Sequence, residues 1–193
     1  MEQHRDEIVS GQLVVFFQDE CHLLWGDLCG YVWGKTSERI EVPITNERDK
    51  QTYYGALNLA TQAFSLQGYE KGNSDSTLAF LRSLQTQHPE SRIAVIWDGA
   101  SHHRSQAIKD YLAEVNQDLD ESQWKLTCLR FAPNDPQQNP VEDVWLQAKR
   151  FIREFYHLCK SFWAVKWLFE FATHCQVFRF PKVFMYGSFS RIT

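Results

Sequence analysis

The sequence lacks the cysteine pattern of a disulfide framework or a zinc module. Its five cysteines are an odd number, and none belongs to a C-x-x-C pair. Reduced thiols in a cytosolic protein fit this pattern better than disulfides, which form in oxidising compartments. A Cys/His metal module is the weakest alternative, because Cys21 and His22 have no companions at ligand spacing.

Long hydrophobic runs are also missing. None approaches the ~20 apolar residues that span a membrane. The most apolar late stretch, Phe162 to Ala172, is interrupted by Lys166 and Glu170. The start of the chain is charged and contains no signal-peptide core. We therefore expect no membrane partner and a cytoplasmic location.

The net charge is small, but it is unevenly distributed. It amounts to -4 over 193 residues. Residues 149–193 carry eight Lys/Arg and two Asp/Glu, whereas residues 1–148 carry 12 and 22. An acidic region is suited to collect metal ions and a basic one to contact a polyanion, so this pattern favours a nucleic-acid partner. The hydrophobic share of 44% excludes a disordered chain.

The chain does contain an ordered series of strand-like and helix-like segments. The predicted strands and helices follow one another as β-β-β-α-β-α-β-α-α. Three consecutive strands favour an antiparallel meander, and the later alternation favours parallel strands with crossover helices. We therefore predict one α/β domain with a mixed five-stranded sheet flanked by helices. The strand segments are residues 12–20, a hairpin in 30–43, 52–60, 92–98 and 124–133; the helical segments are 73–89, 103–117, 139–156 and 160–174.

Two aspartates stand where apolar strand segments end. Asp19 follows "QLVVFFQ" and Asp98 follows "RIAVIW". A single aspartate in such a place is most often a turn residue. If the two strands are parallel neighbours, however, both carboxylates emerge at one sheet edge, where sites in α/β proteins tend to lie. Two close carboxylates repel each other unless a cation lies between them, which favours Mg²⁺.

A third carboxylate is expected at the start of the helix that follows "FAPNDPQQ". The prolines fix where this helix begins, with Asn139 and Pro140 at its N-cap and first-turn positions. Its apolar stripe comprises Val141, Val144, Trp145, Ala148, Phe151, Ile152 and Phe155. By helical phase, Glu142 flanks the stripe and leans toward the sheet, whereas Asp143 is expected to face water.

The three acidic segments resemble the catalytic blocks of DDE transposases. They are "FQDE" with Asp19, "WDGASHH" with Asp98 and "PNDPQQNPVEDVW" with Glu142. The similarity is greatest to the insertion-sequence-630 branch of the mariner superfamily and extends from about Leu13 to about Tyr156. It implies an RNase H-like fold, in agreement with the order of strands and helices.

The resemblance implies metal-dependent phosphoryl transfer on DNA. Asp19, Asp98 and Glu142 would bind two Mg²⁺ ions, which Mn²⁺ can replace, and none would act as a nucleophile. His103 stands where the family usually has a histidine, and we expect it to support the metal ligands without being one. Three basic side chains are expected to contact DNA phosphates: Lys149, Arg153 and Lys160.

The resemblance also gives expectations about the wider protein. Residues 1–12 are predicted to be a lead-in, 13–175 the catalytic domain and 176–193 an aromatic, basic tail. Relatives usually carry an N-terminal helix-turn-helix domain that recognises the element's ends, and we expect this chain to lack it. The implied partners are element-end DNA, target DNA and a second copy in an active homodimer. The implied setting is bacterial and nucleoid-associated.

Two alternatives stay open at this point. Another RNase H-like nuclease would need the same kind of acidic site. An inactive transposase remnant would bind DNA or protein without cleaving DNA, although the intact acidic triad argues against decay at the site.

Overall fold

The structure, a computed structural model of the chain, describes residues 2–28, 35, 37, 49–132 and 138–174. Within these ranges, five strands and five α-helices form the fold. The strands are β1 (Leu13–Leu24), β2 (Lys50–Asn58), β3 (Phe64–Tyr69), β4 (Arg92–Trp97) and β5 (Leu126–Arg130). The helices are α1 (Arg5–Ser10), α2 (Ser74–Gln87), α3 (Gln106–Val115), α4 (Val141–Glu154) and α5 (Phe162–His174).

The strands form one mixed sheet in the order β3-β2-β1-β4-β5. β1 pairs with β2, and β2 with β3, in antiparallel fashion. β4 runs parallel to both β1 and β5. The parallel pairs require crossover connections, and α3 supplies the one between β4 and β5. This arrangement confirms the predicted RNase H-like α/β fold with a meander and added parallel strands.

The two faces of the sheet carry separate hydrophobic layers. In β1, Val15 and Phe17 pack toward α4 and α5, whereas Val14 and Phe16 pack toward α2 and α3. Successive side chains of a strand point to opposite faces, so this alternation continues along β1. Asp19 therefore points to the α4 face and Glu20 to the opposite face.

The helices begin and end close to where the sequence places them. α2 begins after Asn73, whose side chain accepts a hydrogen bond from the Ser76 backbone at 2.9 Å, and it ends before Pro89. α4 has Pro140 as its N-cap, one residue later than predicted. A side chain that satisfies a free N–H at a helix start is the physical reason such ends can be read from sequence.

The β2–β3 hairpin was missed in the sequence. Its turn contains no glycine; instead, the Asn58 side chain accepts hydrogen bonds from the backbone of Ala60 at 2.9 Å and Thr61 at 3.0 Å. Gln62 takes the left-handed conformation with φ of 58°. β3 and the short helix α1 were not predicted, and the predicted hairpin at 30–43 falls largely outside the described residues. No helix in the described ranges is long and apolar enough to cross a membrane.

Candidate active site

Asp19 and Asp98 lie at the same end of the parallel ladder between β1 and β4. The parallel pairing of β1 with β4 ends at Phe17 and Ile96, and each aspartate lies two residues beyond that last pair. The expectation that Asp19 ends its strand was wrong, because β1 continues to Leu24 along β2. Asp19 therefore stands where the parallel ladder ends, while its backbone is still held by the antiparallel ladder.

The carboxyl group of Asp19 is electrostatically unusual. Its burial, followed by the negative charge of Glu20, raises its pKa to about 7, and Asp98 adds to the rise. Hydrogen bonds from Trp145 and from the backbone of Glu20 act in the opposite direction. Ionisation of Asp19 is therefore costly in this surrounding, and a bound cation would favour the ionised form.

Trp145 holds Asp19 from the α4 side. Its indole Nε1–H donates a hydrogen bond to Asp19 Oδ2 at 3.0 Å. Gly55 lies opposite Asp19 in β2, and a Cβ there would stand 2.5 Å from the Trp145 ring and 2.4 Å from that of Phe64. The sequence placed Trp145 in the apolar stripe, which is correct because the residue is buried, but its donor role and the need for Gly55 were missed.

The start of α4 is tied to β1 beside Asp19. Asn139 Nδ2 donates to the backbone oxygen of Gln18 at 3.2 Å, and Asn139 Oδ1 accepts from the Val141 backbone at 3.1 Å. Asn139 thus joins the strand to the helix. It fixes the first turn of α4, which contains the partly buried Glu142.

The expectation that Asp143 faces water was wrong. Only 9% of Asp143 is exposed, and it is buried together with Asn139 and Pro140. Helical phase identifies the face that packs along the sheet. It does not describe a helix start that is enclosed from more than one side.

Asp98 is held from the opposite direction by a buried histidine. His103 Nδ1 lies 3.1 Å from Asp98 Oδ1, and His103 Nε2 lies 3.0 Å from Glu20 Oε1. Its ring stacks on Trp97 with centroids 4.2 Å apart. Asp98 Oδ1 also accepts from the Ala100 backbone at 2.9 Å. His103 therefore contacts one of the predicted metal ligands directly.

The charges of Asp98, His103 and Glu20 compensate one another. Burial alone would lower the pKa of His103, but its bonds to Asp98 and Glu20 raise it to about 9. The His103 bond lowers the pKa of Asp98. Burial tends to raise the pKa of Glu20, and His103 with Gln18 outweighs it, so the pKa is lowered. The role of Glu20 was missed, although its place beside Asp19 in "QDE" was a visible signal.

The most compact set of potential metal ligands is not the predicted triad. Among the described residues, the ligand atoms of Glu20, His102 and His103 all lie within 4.8 Å of one another. Asp19, Asp98 and Glu142 do not form such a compact group. A pair of cations can be shared by carboxylates that are more widely spaced, so the triad's role as ligands stays a prediction.

The three predicted DNA-contacting residues lie on or near α4. Lys149 is partly buried within the helix, Arg153 is exposed near its end, and Lys160 is exposed before α5. The predicted tail at 176–193 falls outside the described residues. The contact of these three side chains with DNA stays a prediction.

The sequence from residue 14 to residue 162 matches the family model described as "DDE superfamily endonuclease". No curated protein matches the chain in sequence. The matched range contains Asp19, Asp98 and Glu142.

The solved structures that are similar to this chain include two retroviral integrase assemblies and one transposase complex. The simian T-cell lymphotropic virus intasome, in complex with PP2A regulatory subunit B56 gamma, gives a TM-score of 0.53 at 9% identity, covering 80% of this chain and 46% of that one. The HTLV-2 integrase catalytic core domain in complex with magnesium gives 0.50 at 11%, covering 82% and 86%. The Mos1 transposase paired-end complex with left transposon end gives 0.50 at 13%, covering 93% and 62%. The chain thus spans about half the length of the first of these, and at such identities the similarity shows the fold alone.

Proposed function

The chain belongs to the DDE superfamily endonucleases, and from this premise we propose that it is the catalytic domain of an insertion-sequence-630-type transposase. In this role it cleaves DNA at the ends of an insertion sequence and joins them to target DNA. One observation carries the proposal. Asp19 and Asp98 lie at equivalent positions, two residues beyond the last parallel pair of β1 and β4. The helix that bears Glu142 is tied to β1 by Asn139.

The residues present fit a hard divalent cation. Carboxylate oxygens are the ligands that Mg²⁺ prefers, and Mn²⁺ accepts similar ones. The raised pKa of Asp19 results from burial and from the nearby charges of Glu20 and Asp98, which a cation would offset. Asp19, Asp98 and Glu142 would hold the metal. It would activate the attacking water or DNA 3′-hydroxyl and stabilise the leaving oxygen.

The protein's own contribution is to fix these carboxylates before DNA arrives. Trp145 orients Asp19 through its indole hydrogen bond. His103 orients Asp98, and Glu20 in turn orients His103. Ligands held in place in this way lose less conformational freedom when they bind, which favours a defined geometry for in-line phosphoryl transfer.

DNA is the proposed substrate and partner. Lys149, Arg153 and Lys160 supply positive charge on or near the helix that bears Glu142 and are suited to phosphate contacts. The Mos1 structure is a complex with a transposon end, which supports the same class of substrate here. We propose that a helix-turn-helix module recognises the particular end and that the active complex contains two copies of the chain.

A strand-transfer assay tests the proposal. The chain is supplied with a helix-turn-helix module and with duplex DNA that carries the terminal repeats flanking its gene. Mg²⁺ should support cleavage and joining, and EDTA should abolish both. Asp19→Asn, Asp98→Asn and Glu142→Gln should each remove activity.

Glu154→Gln is the matched control, because this carboxylate lies at the exposed far end of the same helix. It should leave activity intact. DNA binding without cleavage by the folded wild-type chain would instead favour an inactive remnant. Cleavage without joining would favour another RNase H-like nuclease.

A further inference from the structure

We propose that Glu20, His102 and His103 form a binding site for one Zn²⁺-like cation, distinct from the carboxylate triad. The site lies on the α2/α3 face of the sheet, opposite Asp19. It is built from strand β1 and from the 3-10 turn Ser101–Arg104 that follows β4. The inference concerns binding of the metal alone, so it does not depend on the proposed transposase activity.

The spacing of the donor atoms suits a tetrahedral ion. Glu20 Oε1 lies 3.0 Å from His103 Nε2 and 3.4 Å from His102 Nε2. Ligands ~2.1 Å from a tetrahedral Zn²⁺ stand ~3.4 Å apart. The three donors can therefore ligate one ion with small movements once the proton shared by His103 Nε2 and Glu20 Oε1 has been released to solvent, and a water molecule would complete the coordination.

The surroundings of the donors are those of an oriented metal site. His103 presents Nε2 to the cluster while its Nδ1 lies 3.1 Å from the Asp98 carboxylate, which is the usual support for a metal-bound imidazole. Stacking on Trp97 fixes the ring plane. Gln18 Nε2 donates to Glu20 Oε1 at 3.1 Å and fixes the carboxylate.

Burial gives the site a closed side and an entrance. The His103 side chain is 1% exposed, that of Glu20 12% and that of His102 22%. An ion would enter from the side of His102. Two imidazoles and one carboxylate favour Zn²⁺ over Mg²⁺, because Mg²⁺ prefers oxygen ligands and retains its water.

One residue, Asp98, links the proposed Zn²⁺ site to the candidate active site. Asp98 bonds His103 on this face and belongs to the predicted ligand set for catalytic cations. A cation bound at His103 would hold the imidazole, and with it the Asp98 carboxylate, in one orientation.

Calorimetric titration of the EDTA-treated full chain with Zn²⁺ tests the proposal. We expect one ion per chain, with little competition from excess Mg²⁺. Co²⁺ should reproduce the binding and give the visible absorption of a tetrahedral site. His102→Ala and Glu20→Gln should each lower the Zn²⁺ affinity by at least about tenfold.

His157→Ala is the control, because it removes an exposed histidine from the 3-10 turn after α4. It should leave binding unchanged. Asp19→Asn and Glu142→Gln should abolish cleavage yet retain Zn²⁺ binding, which separates this inference from the proposed function. No binding by the wild-type chain, or equal binding by the folded His102→Ala and Glu20→Gln variants, would overturn the inference and leave the cluster as a hydrogen-bonded support for Asp98.

Discussion

Asp19 and Glu20 are consecutive carboxylic acids on β1 that point to opposite faces of the sheet, and the protein treats them in opposite ways. Asp19 is held by the neutral indole of Trp145, and burial raises its pKa to about 7. Glu20 accepts bonds from Gln18 and from two histidines, and its pKa is lowered. The negative charge of Asp19 is therefore left for a bound cation to compensate. The negative charge of Glu20 is compensated by the protein's own histidines.

This difference separates the role of a catalytic Mg²⁺ ligand, which we assign to Asp19, from the role of Glu20, which holds His103 and through it Asp98. A carboxylate that is costly to ionise gains most from a cation, because the cation removes the charge penalty of burial. A carboxylate already bonded to histidines is suited to hold those histidines in place. Asp19 and Glu20 show that the two acids of a "DE" motif can serve different functions, because adjacent residues of a strand point to opposite faces of the sheet.

The comparison would fail if the two acids were interchangeable. Asp19→Asn should reduce Mg²⁺-dependent DNA cleavage to background, because this substitution removes a metal ligand. Glu20→Gln should reduce it only roughly 10- to 100-fold, the range typical of a residue that orients a ligand. Single-turnover cleavage of terminal-repeat DNA measures both, and equal reductions would remove the distinction.

The Asp19 face can be disturbed without touching a carboxylate. Gly55→Ala would place a Cβ 2.5 Å from the Trp145 ring, so the indole must move away from Asp19. We expect a loss of about 1–3 kcal/mol in unfolding free energy, the usual cost of overpacking, together with reduced cleavage.

Gly68→Ala is the matched control for that substitution. Gly68 lies in the edge strand β3, and its Cβ would stand 3.3 Å from Nε2 at the end of the Gln51 side chain, a much looser contact than that at Gly55. It should cost less than about 1 kcal/mol. Urea denaturation of both variants decides the matter, and equal stabilities would mean that Trp145 has room to shift.

Removing only the donor on the Asp19 face should have a smaller effect. Trp145→Phe retains an aromatic ring but deletes the Nε1–H that bonds Asp19 Oδ2. The Mg²⁺ concentration for half-maximal cleavage should rise roughly tenfold. Trp163→Phe, at a position that is 71% exposed, should leave that concentration unchanged. A response at both positions would indicate a general effect on the fold.

The smallest expected effect is on the salt dependence of DNA binding, and it should differ between basic residues on the two sides of the sheet. Neutralising Lys149, Arg153 and Lys160 should lower the salt dependence of DNA binding by about one unit of slope for each phosphate that the chain no longer binds. Lys109→Gln on α3 should leave the slope unchanged. Fluorescence titrations at several salt concentrations measure this, and an unaltered slope in the triple variant would make these lysines and arginine ordinary solvent-facing residues.

Elements with strong local signals were predictable from the sequence. Apolar runs indicated β1 and β4, and the capping residue Asn73 indicated where α2 begins. The β2–β3 hairpin was not predicted, because its turn is formed by Asn58 and Gln62 and contains no glycine. Local patterns report on backbone preference and carry little information about turns that side-chain hydrogen bonds stabilise.

The site was predictable only in part for a related reason. Spacing and motif resemblance singled out Asp19, Asp98 and Glu142, but the supports of Asp19 and Asp98 are long-range contacts. Glu20 meets His103 across 83 residues of sequence, and Trp145 meets Asp19 across 126. The enclosure of Asp143 likewise depends on what surrounds the start of α4, which no periodicity within the helix contains.

Binding of Mg²⁺ to the chain with uncleaved terminal-repeat DNA is the most direct test of the central claim that Asp19 is a ligand of the catalytic Mg²⁺ and Glu20 is not. Calorimetric titration should show that Asp19→Asn loses Mg²⁺ binding, while Glu20→Gln retains it with affinity reduced by no more than roughly 100-fold. Full Mg²⁺ binding by Asp19→Asn, together with its loss in Glu20→Gln, would contradict the account.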